Sequence, residues 1–426
     1  MIASHRLILA AFCGLQLIGL AQLTSAAEHL SPLSQSPDWT ALEKYQETIT
    51  HDDFERLLRE VYCTRGVDEK LIKVEADSAR VLIDQDEQTS FVLRFAASQQ
   101  DAKPVPHTWR TAAALPPAPN DRVLEGVKIA LDPGHLGGRW AQMEERWFQV
   151  GDSEPVQEGD MTLLVAKLLA PRLEKLGAKV SLVRDKLEPV TPQRPADFGD
   201  VARQILERAG QSAPREDYDG PADPEKEQTL RWQREILFYR TSEIRHRAAL
   251  VNATLQPDVV LCLHFNAEAW DDPRRPKLTD HNHFHLLVNG SYLPPELEFD
   301  DVRFEMVRRL LSRTHQEEIA LAGKLAPAVA LRTHLPPYEY TTENVTKAGS
   351  DGYVYLRNLM ATRLYHAPVV YFEPYVMNSD EVFCRVQEGD YEGMRNVNGT
   401  DRPSIYREYA DGVVDGLVNY YRAVHD

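Results

Sequence analysis

Apolar and polar positions divide the chain into two parts, and the pattern changes near residue 123. From there to residue 426, short apolar runs alternate with amphipathic stretches, which is typical of an α/β domain. The predicted strands lie at 127–131, 179–183, 258–264, 284–288 and 368–372. The predicted helices lie at 160–176, 227–254, 301–331 (two helices) and 404–424. Because continuous apolar runs indicate strands buried on both sides, we expect a mixed, mostly parallel sheet with helices on both faces.

The part before residue 123 has a different pattern. Within residues 38–100, helical spacing at 39–45 and 52–62 is followed by three short alternating runs. These runs lie at 71–74, 80–83 and 90–95 and predict a short antiparallel sheet. Residues 38–100 are therefore predicted to form a small α+β domain of unknown role.

The remaining stretches are rich in residues that interrupt regular structure. Residues 101–122 are rich in Pro and Ala, which favours a linker to the large domain at 123–426. Residues 187–226 look like an insertion, and their acidic EDYDGPADPEKE segment predicts a solvated surface excursion. A second insertion is predicted at 290–315.

The first 27 residues have the layout of a signal peptide. His5 and Arg6 precede an apolar run at 7–20, and small residues at 24–27 follow it. That run, like every later one, is shorter than the roughly 20 apolar residues of a membrane span. We therefore expect a periplasmic or secreted protein without a stable membrane span.

Net charge and cysteine content limit the possible binding partners and disulfide bridges. The formal net charge is -17, and nucleic-acid binding needs a basic face, so nucleic acid is not an expected partner. Removal of the signal leaves three cysteines, so at least one thiol is unpaired. Cys262 lies within an apolar run and is expected in the core, whereas a bridge between Cys63 and Cys384 is compatible with the sequence.

Three of the predicted strands end on a residue able to bind a metal or transfer a proton. VKIALDPGH ends on His135, DVVLCLH ends on His264 and PVVYFE ends on Glu373. In open α/β sheets, functional groups gather at the carboxyl ends of the strands. Glu158 precedes the helix predicted at 160–176 and can face the same edge.

These residue types suit a catalytic zinc ion, which takes three protein ligands and keeps one position for water. Two neutral imidazoles and one carboxylate leave the site positive, which lowers the pKa of a bound water to roughly 7. A further carboxylate can take the water proton and pass it to a leaving amine. Asp132, in the turn before His135, is placed to orient a ligand from behind.

Four blocks of the sequence resemble the zinc-dependent N-acetylmuramoyl-L-alanine amidases of the type-3 family, which act in bacterial cell-wall hydrolysis. The blocks are IALDPGHLGG, EGDMTLLVAKLLAPRLEKLGAKVSLVR, RHRAALVNATLQPDVVLCLHFNA and APVVYFEPYVMNSDE, in the family's order across residues 125–425. The resemblance implies that His135, Glu158 and His264 bind Zn²⁺. It also implies that Glu373 is the catalytic acid and base, and that Asn266 lies in the pocket.

The same resemblance implies the substrate and the partners. The expected reaction is cleavage of the amide between N-acetylmuramic acid and L-alanine in peptidoglycan, which is the expected partner, with an activator protein as a second candidate. Two other functions are open: a zinc peptidase or amidase acting on another peptide, and a wall-binding regulator without catalysis.

The sequence also departs from the family pattern. Leu136 replaces a usual Gly, and Pro374-Tyr375 replaces the usual Thr-Gly-Phe after Glu373. The interval between His135 and Glu158 is longer than usual and contains EERWF. Alternative third ligands therefore lie within it: Glu144, Glu145 and Glu154.

Further polar positions have two interpretations each. His281, His283 and His285 alternate and share one strand face, so they either line a cleft or form a second metal site. Arg245 and Arg247 either bind substrate carboxylates or form salt bridges on their helix. The amphipathic stretch 304–311 lies where the resemblance implies a helix that covers the zinc in some relatives; scaffold is the other interpretation.

Overall fold

The computed structural model describes residues 29–85, 88–270 and 277–425. The predicted signal peptide at 1–27 lies outside the described residues. Within the part of the chain that the structure describes, no helix is long and apolar enough to span a bilayer.

The N-terminal part folds as the predicted α+β unit. A 3-10 helix at Trp39–Tyr45 precedes the helix α1 (His51–Leu57), which Thr50 caps and which continues as a π turn to Tyr62. Three strands follow, β1 (Ile72–Val74), β2 (Ser78–Asp84) and β3 (Thr89–Arg94). They pair antiparallel in the order β1-β2-β3.

The larger part contains the remaining strands and helices. The strands are β4 (Lys128–Pro133), β5 (Trp147–Phe148), β6 (Val156–Gln157), β7 (Lys179–Leu182), β8 (Val259–Leu263), β9 (Phe284–Val288), β10 (Val345–Ala348), β11 (Val354–Arg357), β12 (Val369–Pro374), β13 (Arg395–Val397) and β14 (Thr400–Arg402). The helices are α2 (Glu158–Lys175), α3 (Gly199–Arg208), α4 (Leu230–Ile236), α5 (Glu243–Leu250), α6 (Asp300–Ser312), α7 (Thr314–Thr333), α8 (Met360–Leu364), α9 (Asp380–Gln387) and α10 (Ile405–His425). Two π segments join α4 to α5 and extend α5 to Leu255, so the helix predicted at 227–254 is present.

A seven-stranded sheet with the order β10-β11-β9-β12-β8-β4-β7 forms the centre of the molecule. Strands β7, β4, β8 and β12 are parallel neighbours, whereas β9 runs antiparallel to β12. Helices α2, α7 and α10 pack on the face that carries Leu261 and Phe372. Ala248 and Val251, in and just after α5, cover Val260 on the other face. The predicted fold class, a mixed and mostly parallel sheet with helices on both faces, is confirmed.

The N-terminal unit and the large domain share one continuous apolar core. Tyr292 donates its backbone N–H to Tyr62 at 2.6 Å, and the buried Arg303 of α6 donates to the carbonyl oxygen of Leu82 at 2.8 Å. The predicted linker at 101–122 does not span a gap between separate bodies. It packs along the molecule because Trp109 and Leu115 are buried in the core.

The predicted insertion at 187–226 is only partly a solvated excursion. Its acidic segment is mostly exposed, but Ala202 and Leu206 of α3 are buried against Leu136 and Phe238. The insertion therefore supports the loop that follows β4.

Helix α6 packs away from the metal centre, so of the two interpretations of the stretch 304–311 the structure favours scaffold. Because β9 runs antiparallel to β12, its last residue, Val288, lies at the sheet edge opposite Glu373. Helix α6 follows from that far edge and packs against the N-terminal unit. Its amphipathic pattern therefore belongs to the scaffold.

The cysteines do not form the bridge that the sequence allows. Cys63, Cys262 and Cys384 are free, and the first two are buried. Burial raises the pKa of the Cys63 thiol to about 12, which keeps it protonated and unreactive.

Candidate metal centre

His135 and His264 meet at the carboxyl edge of the sheet because β4 and β8 are parallel neighbours. Pro133 pairs with Leu263, so each histidine follows directly behind its strand. Their ring centroids are 5.0 Å apart, with the ring planes nearly perpendicular. The side chain of His135 is 18% exposed, and that of His264 is 10% exposed.

The Asp-Pro-Gly-His turn makes this approach possible. A Cβ atom on Gly134 would lie 2.1 Å from Cε1 of His264, so only glycine leaves room for the ring. His135 itself adopts a left-handed backbone with φ of 58°, which is uncommon for a residue with a side chain. Such strain concentrates at functional sites and here turns the imidazole towards the edge.

Glu158 is the first residue of α2 and lies between the two histidines. Its Oε1 is 3.2 Å from Nδ1 of His264 and accepts the backbone N–H of Phe265 at 3.1 Å. Its Oε2 is 3.2 Å from Nε2 of His135. One carboxylate oxygen therefore faces each imidazole.

The three side chains offer ligand atoms that all lie within 4.8 Å of one another. The structure brings His135, Glu158 and His264 together as the sequence predicts. Across residues 29–85, 88–270 and 277–425, no other group of at least three His, Cys, Asp or Glu residues converges in this way.

The competing glutamates are held elsewhere, either by their side chains or by their backbone. Glu144 accepts the backbone N–H of Leu136 at 2.9 Å, and its Oε1 lies 3.8 Å from Nδ1 of His135. Glu145 pairs with Lys226 at 2.5 Å. Glu154 lies beside Gln387, through two backbone contacts of 3.0 Å. Glu158 is thus the carboxylate whose oxygens face both imidazoles.

The neutral His264 and the ionised Glu158 suit a bound cation. Burial lowers the pKa of His264 to about 4, so its imidazole is neutral near pH 7. Burial opposes ionisation of Glu158, but His135 and His264 outweigh it and hold the pKa of that carboxyl well below its usual range. Burial likewise disfavours the charged His135, yet Glu158 and Glu144 raise its pKa. An ionised carboxylate with two imidazoles fits a catalytic zinc.

Glu373 extends the centre along the same edge. Phe372 pairs with Leu263, so Glu373 comes into line with His264. Tyr371, on the same strand face as Glu373, stacks on the His264 ring at 4.1 Å between centroids. Burial, together with the charge of Glu158, raises the pKa of Glu373 well above its ordinary value. This direction of shift is the one that lets a carboxyl act as an acid as well as a base.

Asp132 and Arg247 lie beneath the centre. Arg247 is 4% exposed and donates to Asp132 Oδ1 at 2.8 Å and to Glu243 at 2.7 Å. It also donates to the carbonyl oxygens of Pro133 at 2.8 Å and His135 at 2.9 Å. Because these contacts occupy the guanidinium inside the protein, its position does not support the predicted binding of substrate. The carboxylate of Asp132 acts on the turn at His135 indirectly, by pairing with Arg247, which donates to the carbonyl oxygens of that turn.

Asn266 follows His264 at the same edge and is partly exposed. Its backbone N–H donates to Tyr375 at 2.8 Å, and its side-chain oxygen accepts the N–H of Ala267 at 2.8 Å. The first of these contacts holds the loop after β8 against Tyr375, just after β12. Contact of Asn266 with a substrate stays a prediction.

The alternating histidines do not form a second metal group. His281 is exposed, His283 lies 3.0 Å from Glu268, and Nε2 of His285 lies 2.8 Å from the Tyr340 hydroxyl. Tyr338 packs against both His283 and His285. Since His285 is the strand partner of Glu373, these rings form a wall beside the proposed catalytic carboxyl.

Arg146 belongs to the centre, although the sequence reasoning did not identify it. Its Nε lies 3.1 Å from Glu158 Oε2 and 3.3 Å from His135 Nε2. The only sequence signal for it was the unusual interval that contains EERWF. Nothing in that pattern indicated that the interval folds back on Glu158.

Several solved structures resemble this chain at low similarity. An N-acetylmuramyl-L-alanine amidase from Mycobacterium smegmatis is 16% identical with a TM-score of 0.37, covering 70% of this chain and 99% of its own. An N-acetylmuramoyl-L-alanine amidase from Clostridium difficile 630 is 13% identical with a TM-score of 0.36, covering 70% and 98%. One from Nostoc punctiforme is 14% identical with a TM-score of 0.35, covering 70% and 99%.

No protein-family model matches the sequence, and no curated protein is similar enough to match it. The evidence for the function of this chain therefore lies in the side chains of its own centre.

Proposed function

We propose that this protein is a zinc-dependent N-acetylmuramoyl-L-alanine amidase that cleaves the amide between N-acetylmuramic acid and L-alanine in peptidoglycan. The observation that carries the proposal is the convergence of His135, Glu158 and His264 within 4.8 Å, beside a carboxyl of raised pKa at Glu373. The four sequence blocks of the type-3 amidases supply the substrate class.

In the proposed site, His135, Glu158 and His264 hold the zinc ion. Zinc, when bound, supplies Lewis acidity to a water molecule and to the scissile carbonyl. Glu373 takes the proton of the attacking water on its carboxylate and donates it to the amine of L-alanine as the C–N bond breaks. The products are a free lactyl carboxylate and a peptide with a new amino terminus.

The surroundings of Glu373 are suited to this double role. A carboxylate in water has a pKa near 4 and is a weak base, so it needs tuning towards neutral pH. Burial and the negative charge of Glu158 raise the pKa of Glu373, while Arg146 and Arg357 oppose the shift. The net result is a carboxyl whose pKa lies above its ordinary value, which is the direction that general acid–base catalysis needs.

The predicted signal peptide and the substrate place the proposed activity outside the cytoplasm, in the periplasm or the secreted fraction. Peptidoglycan is the proposed partner, and an activator protein is compatible with the family resemblance. A full set of ligands with a tuned carboxyl favours catalysis over a purely wall-binding regulator.

Two substitutions test the division of roles. We expect Glu373→Gln to keep zinc and the fold but to lower kcat by roughly 10²–10⁴-fold, because it removes the proton acceptor. We expect His135→Ala to lose zinc and activity together. The measurements are metal analysis of the purified protein and mass spectrometry of released muropeptides.

Glu268→Gln is the matched control, since Glu268 lies at the same edge but pairs with His283 at 3.0 Å. It should retain both zinc and activity. Full activity in Glu373→Gln would remove the proposed mechanism. Release of peptides cut at another bond would favour a zinc peptidase instead.

A further inference from the structure

The interval between His135 and Glu158 contains a short hairpin that presents one side chain to the centre. Strands β5 and β6 pair with Trp147 opposite Gln157, which places Arg146 opposite Glu158. The backbone confirms the register, since the N–H of Glu158 donates to the carbonyl oxygen of Arg146 at 3.2 Å. The position of Arg146 is thus fixed by the same chain segment that fixes a proposed metal ligand.

Contacts with the segment before β5 keep Arg146 in place. Its backbone N–H donates to Ala141 at 2.9 Å, and its guanidinium donates to the carbonyl oxygen of Glu145 at 3.1 Å. The Glu145 side chain in turn pairs with Lys226 at 2.5 Å. The side chain of Arg146 is 16% exposed, so most of it is buried beside the proposed ligands.

The positive charge of Arg146 acts on side chains of the centre. It opposes the rise in the pKa of Glu373 and of Tyr371. Its contacts at 3.1 Å to Glu158 and 3.3 Å to His135 involve two of the proposed zinc ligands. These two contacts place the guanidinium at the proposed metal centre itself.

We propose that Arg146 is a further catalytic residue, which donates an N–H hydrogen bond to the carbonyl oxygen of the scissile amide. No proton is transferred from the guanidinium, which stays charged throughout. Attack of water on the amide carbon turns that oxygen into an oxyanion. A fixed cationic donor stabilises the oxyanion more than the neutral carbonyl, so its contribution appears in kcat. This inference rests on the proposed function, because it assigns a role in the same reaction.

Arg146→Gln tests the assignment, with Arg139→Gln as the matched control. Arg139 lies in the same interval but is 65% exposed and pairs with Glu188. We expect Arg146→Gln to lower kcat on peptidoglycan by about 10²–10³-fold while its zinc content stays that of the wild type. Arg139→Gln should stay within about threefold of wild type, as expected of a surface pair.

A second readout needs no turnover. Inorganic phosphate is a tetrahedral anion, and its affinity for the zinc-loaded protein can be measured by calorimetry. We expect Arg146→Gln to bind phosphate at least about tenfold more weakly than wild type, because a charge-assisted hydrogen bond is lost.

The outcomes separate the inference from the function it builds on. Unchanged kcat and phosphate affinity in Arg146→Gln, or a loss of activity that only follows a loss of zinc, would overturn the role of Arg146. If the wild type does not cut the muramoyl–alanine amide, the proposed substrate fails. Weaker phosphate binding in Arg146→Gln would then still support an oxyanion role on a different amide.

Discussion

Two groups of buried charged side chains contact the loop around His135, and they differ in whether their charges are paired within the protein. In the first, the Arg247 network, the guanidinium of Arg247 lies between Asp132 and Glu243 and also donates to two backbone carbonyl oxygens. In the second, the metal centre, Glu158 and Glu373 lie close enough that one raises the pKa of the other.

The difference separates a structural arrangement of charge from a functional one. The Arg247 network pairs each of its charges within the protein, so it holds the turn before His135 in place. The metal centre has converging carboxylates and imidazoles, and the positive charges of Arg146 and Arg357 only partly offset the rise in the pKa of Glu373. Such a site gains stability from an added cation.

The largest expected effect on stability is in the Arg247 network. Arg247→Ala leaves Asp132 and Glu243 buried without their shared partner, so we expect the free energy of unfolding to fall by roughly 3–5 kcal/mol. Urea denaturation of the metal-free protein measures it. The control is Arg172→Ala, since Arg172 pairs with Asp411 near the surface and should contribute less than about 1 kcal/mol. Equal losses in the two variants would contradict the distinction.

The pH dependence of stability should be of intermediate size and should separate the centre from the scaffold. Burial lowers the pKa of His264 to about 4 and that of His366 to about 3, below the ordinary value of 6.5. The unfolded chain then binds these protons first, so the free energy of unfolding falls as pH drops from about 6.5 towards 4. Each group contributes at most about 1.4 kcal/mol per pH unit.

Bound zinc should separate the contribution of His264 to this pH dependence of stability from that of His366. A bound ion keeps the ligand His264 neutral, so saturating zinc should remove its contribution until acid displaces the metal. The contribution of His366, which lies before β12 at the far edge, should remain and should disappear in His366→Gln. We would measure chemical unfolding between pH 4.5 and 7, with and without zinc. A slope unaffected by both changes would show that these pKa values are not lowered.

The smallest expected effect concerns the support of the hairpin. Lys226 pairs with Glu145, next to Arg146, and both side chains are partly exposed. We expect Lys226→Ala to change the free energy of unfolding by less than about 1 kcal/mol while lowering kcat a few-fold, because Arg146 is less well held. Lys103→Ala, which removes a surface pair with Glu47 far from the centre, should leave kcat unchanged. Equal kcat in both variants would mean that the pair does not support Arg146.

Local patterns were sufficient for the strands that build the centre. The apolar runs ending at His135, His264 and Glu373 are legible because buried parallel strands are continuously apolar, and each ends within two residues of its prediction. Glu158 also lies where the prediction placed it, at the start of α2.

Strand direction, hairpin register and the burial of single charged residues depend on tertiary contacts and could not be predicted from the sequence. The apolar pattern of the run 284–288 does not show in which direction the strand runs. Its antiparallel pairing with β12, which places α6 at the far edge, therefore could not be predicted from that pattern. The two-residue strands β5 and β6 are too short to be predicted, and their register decides where Arg146 lies. The burial of Arg247 likewise depends on Asp132 and Glu243, which are distant or unremarkable in the sequence.

The most direct measurement is metal analysis of the purified wild-type protein combined with mass spectrometry of peptidoglycan that it has digested. We expect about one zinc ion per chain and released peptides that begin with a free L-alanine amine, both lost on chelation and restored by zinc. A metal-free protein that still cleaves this amide, or a zinc-loaded protein that leaves it intact, would contradict the proposed centre.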